Sequence, residues 1–156
     1  MTVTNAMRLL KQAGVEFETG EYEVDESDLS GVHAAEMLGV DPDCVFKTLV
    51  ARGDGRNLYV FCIPAAEELD LKKCAAAVGE KKLEMVHVKE LLGLTGYVRG
   101  GCSPIGMKKK YPTLIDETAQ LFDRIYVSAG MRGHQIIVAP DALAEFVEAK
   151  YADLTK

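Results

Sequence analysis

Val45-Phe46-Lys47-Thr48-Leu49-Val50-Ala51 is followed, across the polar segment Arg52–Asn57, by Leu58-Tyr59-Val60-Phe61-Cys62-Ile63. Asp54-Gly55 inside the polar segment is a hairpin signature, so the two apolar runs read as strands joined by a tight turn. Period-two alternation puts Val45, Lys47, Leu49 and Ala51 on one face of the first strand and Phe46, Thr48 and Val50 on the other. Both faces are mostly apolar, and both strands are expected to be buried on two sides. Lys47 is the exception. A lysine between Val45 and Leu49 snorkels to solvent, pairs with a buried acid, or points into a ligand cleft. Its mid-strand position favours the cleft, where an ammonium attracts a phosphate, a carboxylate or a developing oxyanion.

Upstream of this hairpin, Thr4 caps a helix whose Ala6, Leu9, Leu10 and Ala13 recur at helical spacing before Gly14. Phe17–Tyr22 reads as a strand, and Val32–Leu38 as a helix stopped by Gly39. Downstream, Asp70 caps a helix that turns Leu71, Cys74, Ala75 and Val78 inward and ends at Gly79. Leu83–Val86 is expected to be a strand, Val88–Leu92 a short helix, and Tyr97–Val98 a strand that delivers the chain to a glycine-rich loop. Thr113–Ile115, Arg124–Ser128 and Gln135–Val138 complete the strands, and Pro140 opens a final helix burying Leu143, Phe146 and Val147. Strands and helices mix without regular alternation, so the expected class is α+β with one mixed, curved sheet.

The loop Gly100-Gly101-Cys102-Ser103-Pro104-Ile105-Gly106 holds three glycines and a proline in seven residues. Glycine lets main-chain N–H groups approach a ligand, and proline stiffens the backbone. Such a loop is either a tight turn or a concave set of donors for a carbonyl oxygen becoming an oxyanion. Ser128-Ala129-Gly130-Met131-Arg132-Gly133 is a second glycine-rich turn. Cys102 is a tempting nucleophile with His134 as its base, but a variable side chain in a shaped loop is the simpler reading. No G-x-S-x-G is present.

With 156 residues, 48% of them hydrophobic, the chain suffices for one domain without disulfide or metal. A net charge of -6 argues against non-specific coating of nucleic acid and leaves room for a local basic patch, so any nucleic-acid contact is expected to be confined and specific; no DNA partner is expected. Four cysteines without a C-x-x-C pair and three scattered histidines give no metal site, and no cofactor is expected. The start lacks a long apolar segment and no run reaches a membrane span, so a cytoplasmic protein without membrane contact is expected.

Phe46-Lys47-Thr48-Leu49, Gly100–Gly106 and Tyr126–Gly133, in this order, resemble the YbaK/EbsC family, freestanding relatives of the editing domain inserted in bacterial prolyl-tRNA synthetases. The resemblance spans nearly the whole chain. It implies a single domain over residues 1–156, α+β, with a curved, barrel-like mixed sheet flanked by helices. It also implies a deacylase that hydrolyses the ester of a wrong amino acid at the 3′ end of tRNA, most closely Cys-tRNA(Pro) and also Cys-tRNA(Cys). In that likeness Lys47 and Thr48 contact the terminal adenosine and phosphate, and Gly100 and Gly101 hold the ester carbonyl. Ser128 and Gly130 shape the aminoacyl pocket, Tyr22 closes it, and Pro104 and Gln135 complete the substrate contacts. The substrate's own thiol attacks its ester, which is why some members are classed as lyases, and Cys102 is dispensable. Prolyl-tRNA synthetase is the implied partner. Two departures, Ala129 for a glycine and Gln135 for an aspartate, leave alanyl- or seryl-tRNA as alternative substrates. A module that binds the aminoacyl-adenosine end without turnover is the other alternative.

Overall fold

Residues 2–156 are described by a computed structural model. Strands β2 (Phe46–Gly53) and β3 (Leu58–Pro64) form the expected antiparallel hairpin, in register from Phe46 opposite Pro64 to Arg52 opposite Leu58. Its turn closes through the Gly53 N–H donating to the Asn57 carbonyl at 2.8 Å. Arg56 adopts a positive φ of 65° there.

The helices begin and end where side-chain chemistry places them. Helix α1 (Asn5–Gln12) starts with the Met7 N–H donating to Thr4 Oγ1 at 3.2 Å and buries Ala6, Met7 and Leu10. Strand β1 (Phe17–Glu21) leads to α2 (Gly31–Leu38), where Ser30 is the N-cap and Gly39 ends the helix at φ 70°. Asp70 accepts from the Lys72 and Lys73 amides at the start of α3 (Leu71–Val78), and Gly79 ends it at φ 78°. An orphan amide satisfied in this way is worth about 1 kcal/mol. Strand β4 (Leu83–Met85) precedes α4 (Val88–Thr95). The chain finishes with β5 (Thr113–Asp116), β6 (Ile125–Ser128), β7 (His134–Val138), α5 (Pro140–Val147) and β8 (Lys150–Ala152).

The structure is α+β, but it has two sheets rather than the single one expected. One is mixed and runs β4-β2-β3-β5-β8; the other is antiparallel and runs β1-β7-β6. Neither closes on itself. They meet at one parallel bridge between Val45 and Tyr126. Phe46, Cys62 and Ile115 of the first sheet pack with Ile125, Val127, Ile136 and Val138 of the second, sealed by Leu10 and Leu143. On the opposite face, Phe61, Ile63 and Leu114 pack with Cys74, Leu83 and Leu154.

Three further expectations are corrected. Strand β3 is buried on both faces, whereas β2 is only half-buried at Lys47, Thr48 and Leu49. Tyr97–Val98 is not a strand, because residues 96–112 follow α4 without regular structure. The segment is held instead by side chains: the Tyr111 hydroxyl donates to the Leu94 carbonyl at 2.7 Å, and the Tyr97 hydroxyl donates to the Ile105 carbonyl. Strand β8 was not expected; three residues beside a helix end carry too little pattern to announce it.

Asp116 fixes that last strand. It is 1% exposed, its Oδ1 accepts from the Leu154 amide at 2.9 Å, and its Oδ2 accepts from the Thr118 amide at 3.2 Å. Asp116→Ala leaves the buried Leu154 N–H without an acceptor, so urea unfolding should show a loss of about 2–3 kcal/mol. Asp116→Asn, which keeps an acceptor, should lose less.

Candidate active site

A cleft of about 380 Å³ opens over the half-buried part of β2. Its floor is Val45–Val50. One wall is the β4–α4 ridge, through Met85, Val86, Val88 and Leu91; the other carries Ser128 of β6 and Gln135 of β7. Tyr22, the Leu29–Gly31 turn, Arg99, Gly100 and Cys102 complete it. A larger hollow of about 640 Å³ lies beyond β4 among Arg52, Arg56, Lys82, Glu84 and Glu90. None of the glycine-rich segments reaches that hollow, and its Arg52 guanidinium is already paired with Glu90 at 3.0 Å. The cleft over β2 is therefore the candidate site.

Lys47 is half-buried in this cleft and has no carboxylate within 4.0 Å among the described residues. Burial pushes its ammonium below the ordinary lysine range, while Glu68 and then Glu67 partly restore it. An unpaired, partly desolvated cation is a strong attractor for an anion.

The glycine loop enters through a turn. The Gly101 N–H donates to the Val98 carbonyl at 3.0 Å, and Gly100 occupies the third turn position at φ 84°. That position requires positive φ, which glycine adopts without penalty. The Gly101 amide is thereby engaged, whereas the amides of Gly100 and Cys102 donate to no acceptor among the described residues. Gly101 itself lies outside the lining. A Cβ on it would sit 3.3 Å from the Arg132 main-chain nitrogen, so its bareness lets the two glycine-rich segments touch. Arg132 clamps them, with Nε donating to the Arg99 carbonyl at 2.9 Å and a terminal nitrogen donating to Glu26 at 2.8 Å.

Gly130, at φ 97°, also stands behind the cleft, where a Cβ would come within 2.8 Å of the Tyr97 ring. Its N–H donates to Ser128 Oγ at 3.1 Å, leaving the serine proton free to be given into the cleft. Ser128 and Gln135 are register partners and both line the cavity. Gln135 is 6% exposed, and its Oε1 has no hydrogen-bond partner. Tyr22 is held by its amide donating to the Gly133 carbonyl at 3.0 Å. Pro104 is buried outside the lining, and Ala129 belongs to the core, so its methyl does not narrow the cleft.

Cys102 is 8% exposed, and burial pushes its thiol up to about 12. His134 offers it no help: its Nδ1 lies 3.5 Å from Glu21 across β1 and β7, away from the lining. The arrangement offers an unpaired ammonium at Lys47, suited to an anion, and free amides at Gly100 and Cys102, suited to a carbonyl oxygen, but among the described residues it presents no paired nucleophile and base. Of the nine residues singled out in the sequence, the cleft gathers Tyr22, Lys47, Thr48, Gly100, Ser128 and Gln135; Gly101 and Gly130 pack outside the lining against Arg132 and Tyr97, and Pro104 is buried outside it. Sequence reasoning missed Arg99 and the apolar ridge Met85, Val86, Val88 and Leu91. Those apolar residues carry the same periodicity as a core face, and only the topology reveals that nothing covers them.

Fold and cleft together define a small α+β domain with a lysine-bearing cleft at the meeting of its two sheets, and the chain belongs to the aminoacyl-tRNA editing domain family, which matches residues 29–146. It is 48% identical over 152 residues to the "Putative Cys-tRNA(Pro)/Cys-tRNA(Cys) deacylase EbsC" of Enterococcus faecalis, covering 97% of this chain and 93% of that one. It is 32% identical over 122 residues to the proline–tRNA ligase of Shouchella clausii, covering 78% of this chain and 21% of the ligase. A solved structure titled as that of "a putative trans-editing enzyme for prolyl tRNA synthetase" superposes with a TM-score of 0.84 over 99% of each chain at 24% identity, which establishes the fold.

Thiol reactivity tests the account of Cys102. Cys44 is the only cysteine that is not buried among the described residues. Iodoacetamide near neutral pH should label Cys44 first, and Cys62, Cys74 and Cys102 only on unfolding, as read by mass spectrometry.

Proposed function

We propose that this chain is an aminoacyl-tRNA deacylase that clears cysteine from tRNA(Pro), and also from tRNA(Cys), at the 3′-terminal ester. The observation that carries the reading is a cleft with free amides at Gly100 and Cys102, an unpaired Lys47, and no nucleophile–base pair. Such a site suits a substrate that brings its own nucleophile. The cysteinyl thiol loses its proton to water and its sulfur attacks the ester carbon. The carbonyl oxygen takes the negative charge and accepts from the Gly100 and Cys102 amides. Collapse of this intermediate breaks the bond to the ribose oxygen, which takes a proton from water, and a cyclic thiolactone leaves. One oxyanion donor is worth about 2.7–4 kcal/mol in the transition state. Positioning supplies much of the rest.

Lys47 binds the terminal phosphate in this reading. The Ser128 hydroxyl and the Gln135 carbonyl oxygen orient the aminoacyl group, and Tyr22 covers it. Prolyl-tRNA synthetase is the proposed partner in the cytoplasm, supported by the likeness to part of proline–tRNA ligase and by the net charge of -6, which gives the chain little general attraction for tRNA. The neutral amide of Gln135 favours one second reading, the same chemistry class acting on alanyl- or seryl-tRNA through attack by water.

A panel of Cys-tRNA(Pro), Cys-tRNA(Cys), Ala-tRNA(Pro) and Ser-tRNA decides between these. The cysteinyl esters should be shortened most; unchanged half-lives for all four would leave only a binding module. Cys102→Ala should retain activity. Lys47→Ala should lose about 100-fold, roughly the value of one strong charged contact, with an unchanged melting temperature. Because burial lowers the Lys47 pKa, its charge is lost as pH rises through a value below the ordinary 10.5. The acceleration over spontaneous hydrolysis should therefore fall on the alkaline side, and Lys47→Arg should flatten that fall.

A further inference from the structure

The net charge is not spread evenly over the chain. Residues 81–110 hold seven lysines and arginines against two glutamates, a charge of +5 in a chain of -6, so the other residues together carry -11. This segment is β4, α4 and most of the irregular stretch that follows. Among the described residues, Lys110 is the only one of its seven cations with a carboxylate partner, Glu148. Lys81, Lys82, Lys89, Arg99, Lys108 and Lys109 are all exposed. Arg99 stands at the cleft and Lys89 in the first turn of α4. Lys108 lies across the last turn of that helix, where its amide donates to the Thr95 carbonyl at 3.0 Å and its side chain packs on Gly96. Lys82 reaches the hollow beyond β4. Three cations and three carboxylates line that hollow, which is therefore neutral and ends the strip.

We infer that this strip, outside the cleft, is a docking surface for a nucleic-acid backbone: the duplex stem that continues from the ester held within. The inference rests on the deacylase reading above. The cleft and the hollow are lined by Lys47 and Arg52, five residues apart on β2, a span of roughly 17 Å or about five phosphates of one duplex strand. Six of the seven cations are lysines, flexible point charges that suit phosphates better than base edges. Tyr97 is the only aromatic residue in the segment, and its hydroxyl is bonded to the Ile105 carbonyl while its ring packs on Gly130, so no ring is free to stack a base. The strip therefore holds a stem without reading its sequence. The -11 carried elsewhere repels phosphates from the other faces, so the same distribution that attracts the stem also orients it. An acidic protein would meet the same charges, but the strip begins at the cleft, where the acylated end has to enter.

The test compares an RNA minihelix acylated with cysteine and 3′-O-cysteinyladenosine, which keeps the ester and has no stem. Lys82→Gln, Lys89→Gln and Lys109→Gln should each raise KM for the minihelix several-fold in about 50 mM salt, with kcat unchanged, and leave the adenosine ester unaffected. Each should also reduce the slope of log(kcat/KM) on log salt by roughly one, equally for minihelices of different stem sequence. Lys72→Gln, on α3 across the sheet, should change neither substrate. An unchanged KM in all three variants, an equal effect from Lys72→Gln, or an equal loss on the adenosine ester would overturn the inference. Normal minihelix turnover with lost stimulation by added prolyl-tRNA synthetase would also overturn it, and give the strip to an acidic protein. Fluorescence anisotropy with an uncharged minihelix needs no turnover, and its binding should weaken in the same three variants. Such binding without deacylation of either ester removes the functional reading and leaves the docking surface standing.

Discussion

Strand β2 has more neighbours than one straight edge can serve. Its β3 edge is fully paired, and the other edge is divided between two sheets, touching β6 near one end and β4 near the other. Strand twist makes this division natural, since a strongly twisted hairpin carries its two ends toward different partners. What remains between them is a stretch of backbone that neither sheet can reach. The cleft is that stretch, so the site follows from how the two sheets meet.

The loops over this cleft are rigid for a reason found behind them. Gly101 lies against the backbone at Met131 and Arg132, Gly130 lies against the Tyr97 ring, and Arg132 ties the Arg99 carbonyl to Glu26. None of these contacts lies in the lining, yet together they fix where the Gly100 and Cys102 amides point. Donors held before the substrate arrives need no reorganisation during reaction, which is the condition for electrostatic catalysis to be large. The glycines thus divide into one that leaves its amide free and two that let backbone and ring pack closely.

Much of this was legible in the chain. Thr4, Asp70, Gly39 and Gly79 mark helix ends by local hydrogen bonding, which acts within a few residues and so leaves a local trace. Alternation found β2 and β3 and exposed Lys47 as an anomaly. The two-sheet arrangement was not legible, because each sheet is assembled from strands far apart in the chain, β1 with β7 in one and β3 with β5 and β8 in the other, through no shared turn. Tyr97 misled for a related reason. An aromatic beside valine looks like a strand, but its ring is fixed by the Ile105 carbonyl and the space over Gly130. The distinct tasks of Gly100 and Gly101 are likewise a matter of which amide the turn consumes, and composition treats the two alike.

The depth of Cys102 bears on how this cleft survives oxidants. With its thiol pushed up to about 12 by burial, it stays protonated near neutral pH. Thiol–disulfide exchange and peroxide oxidation both start from thiolate, so the residue is chemically silent although it lines the cavity. Cys62, fully buried on β3, is silent for the same reason. The lining of the cleft therefore offers no reactive sulfur, and the cleft keeps its shape as the redox poise around it changes.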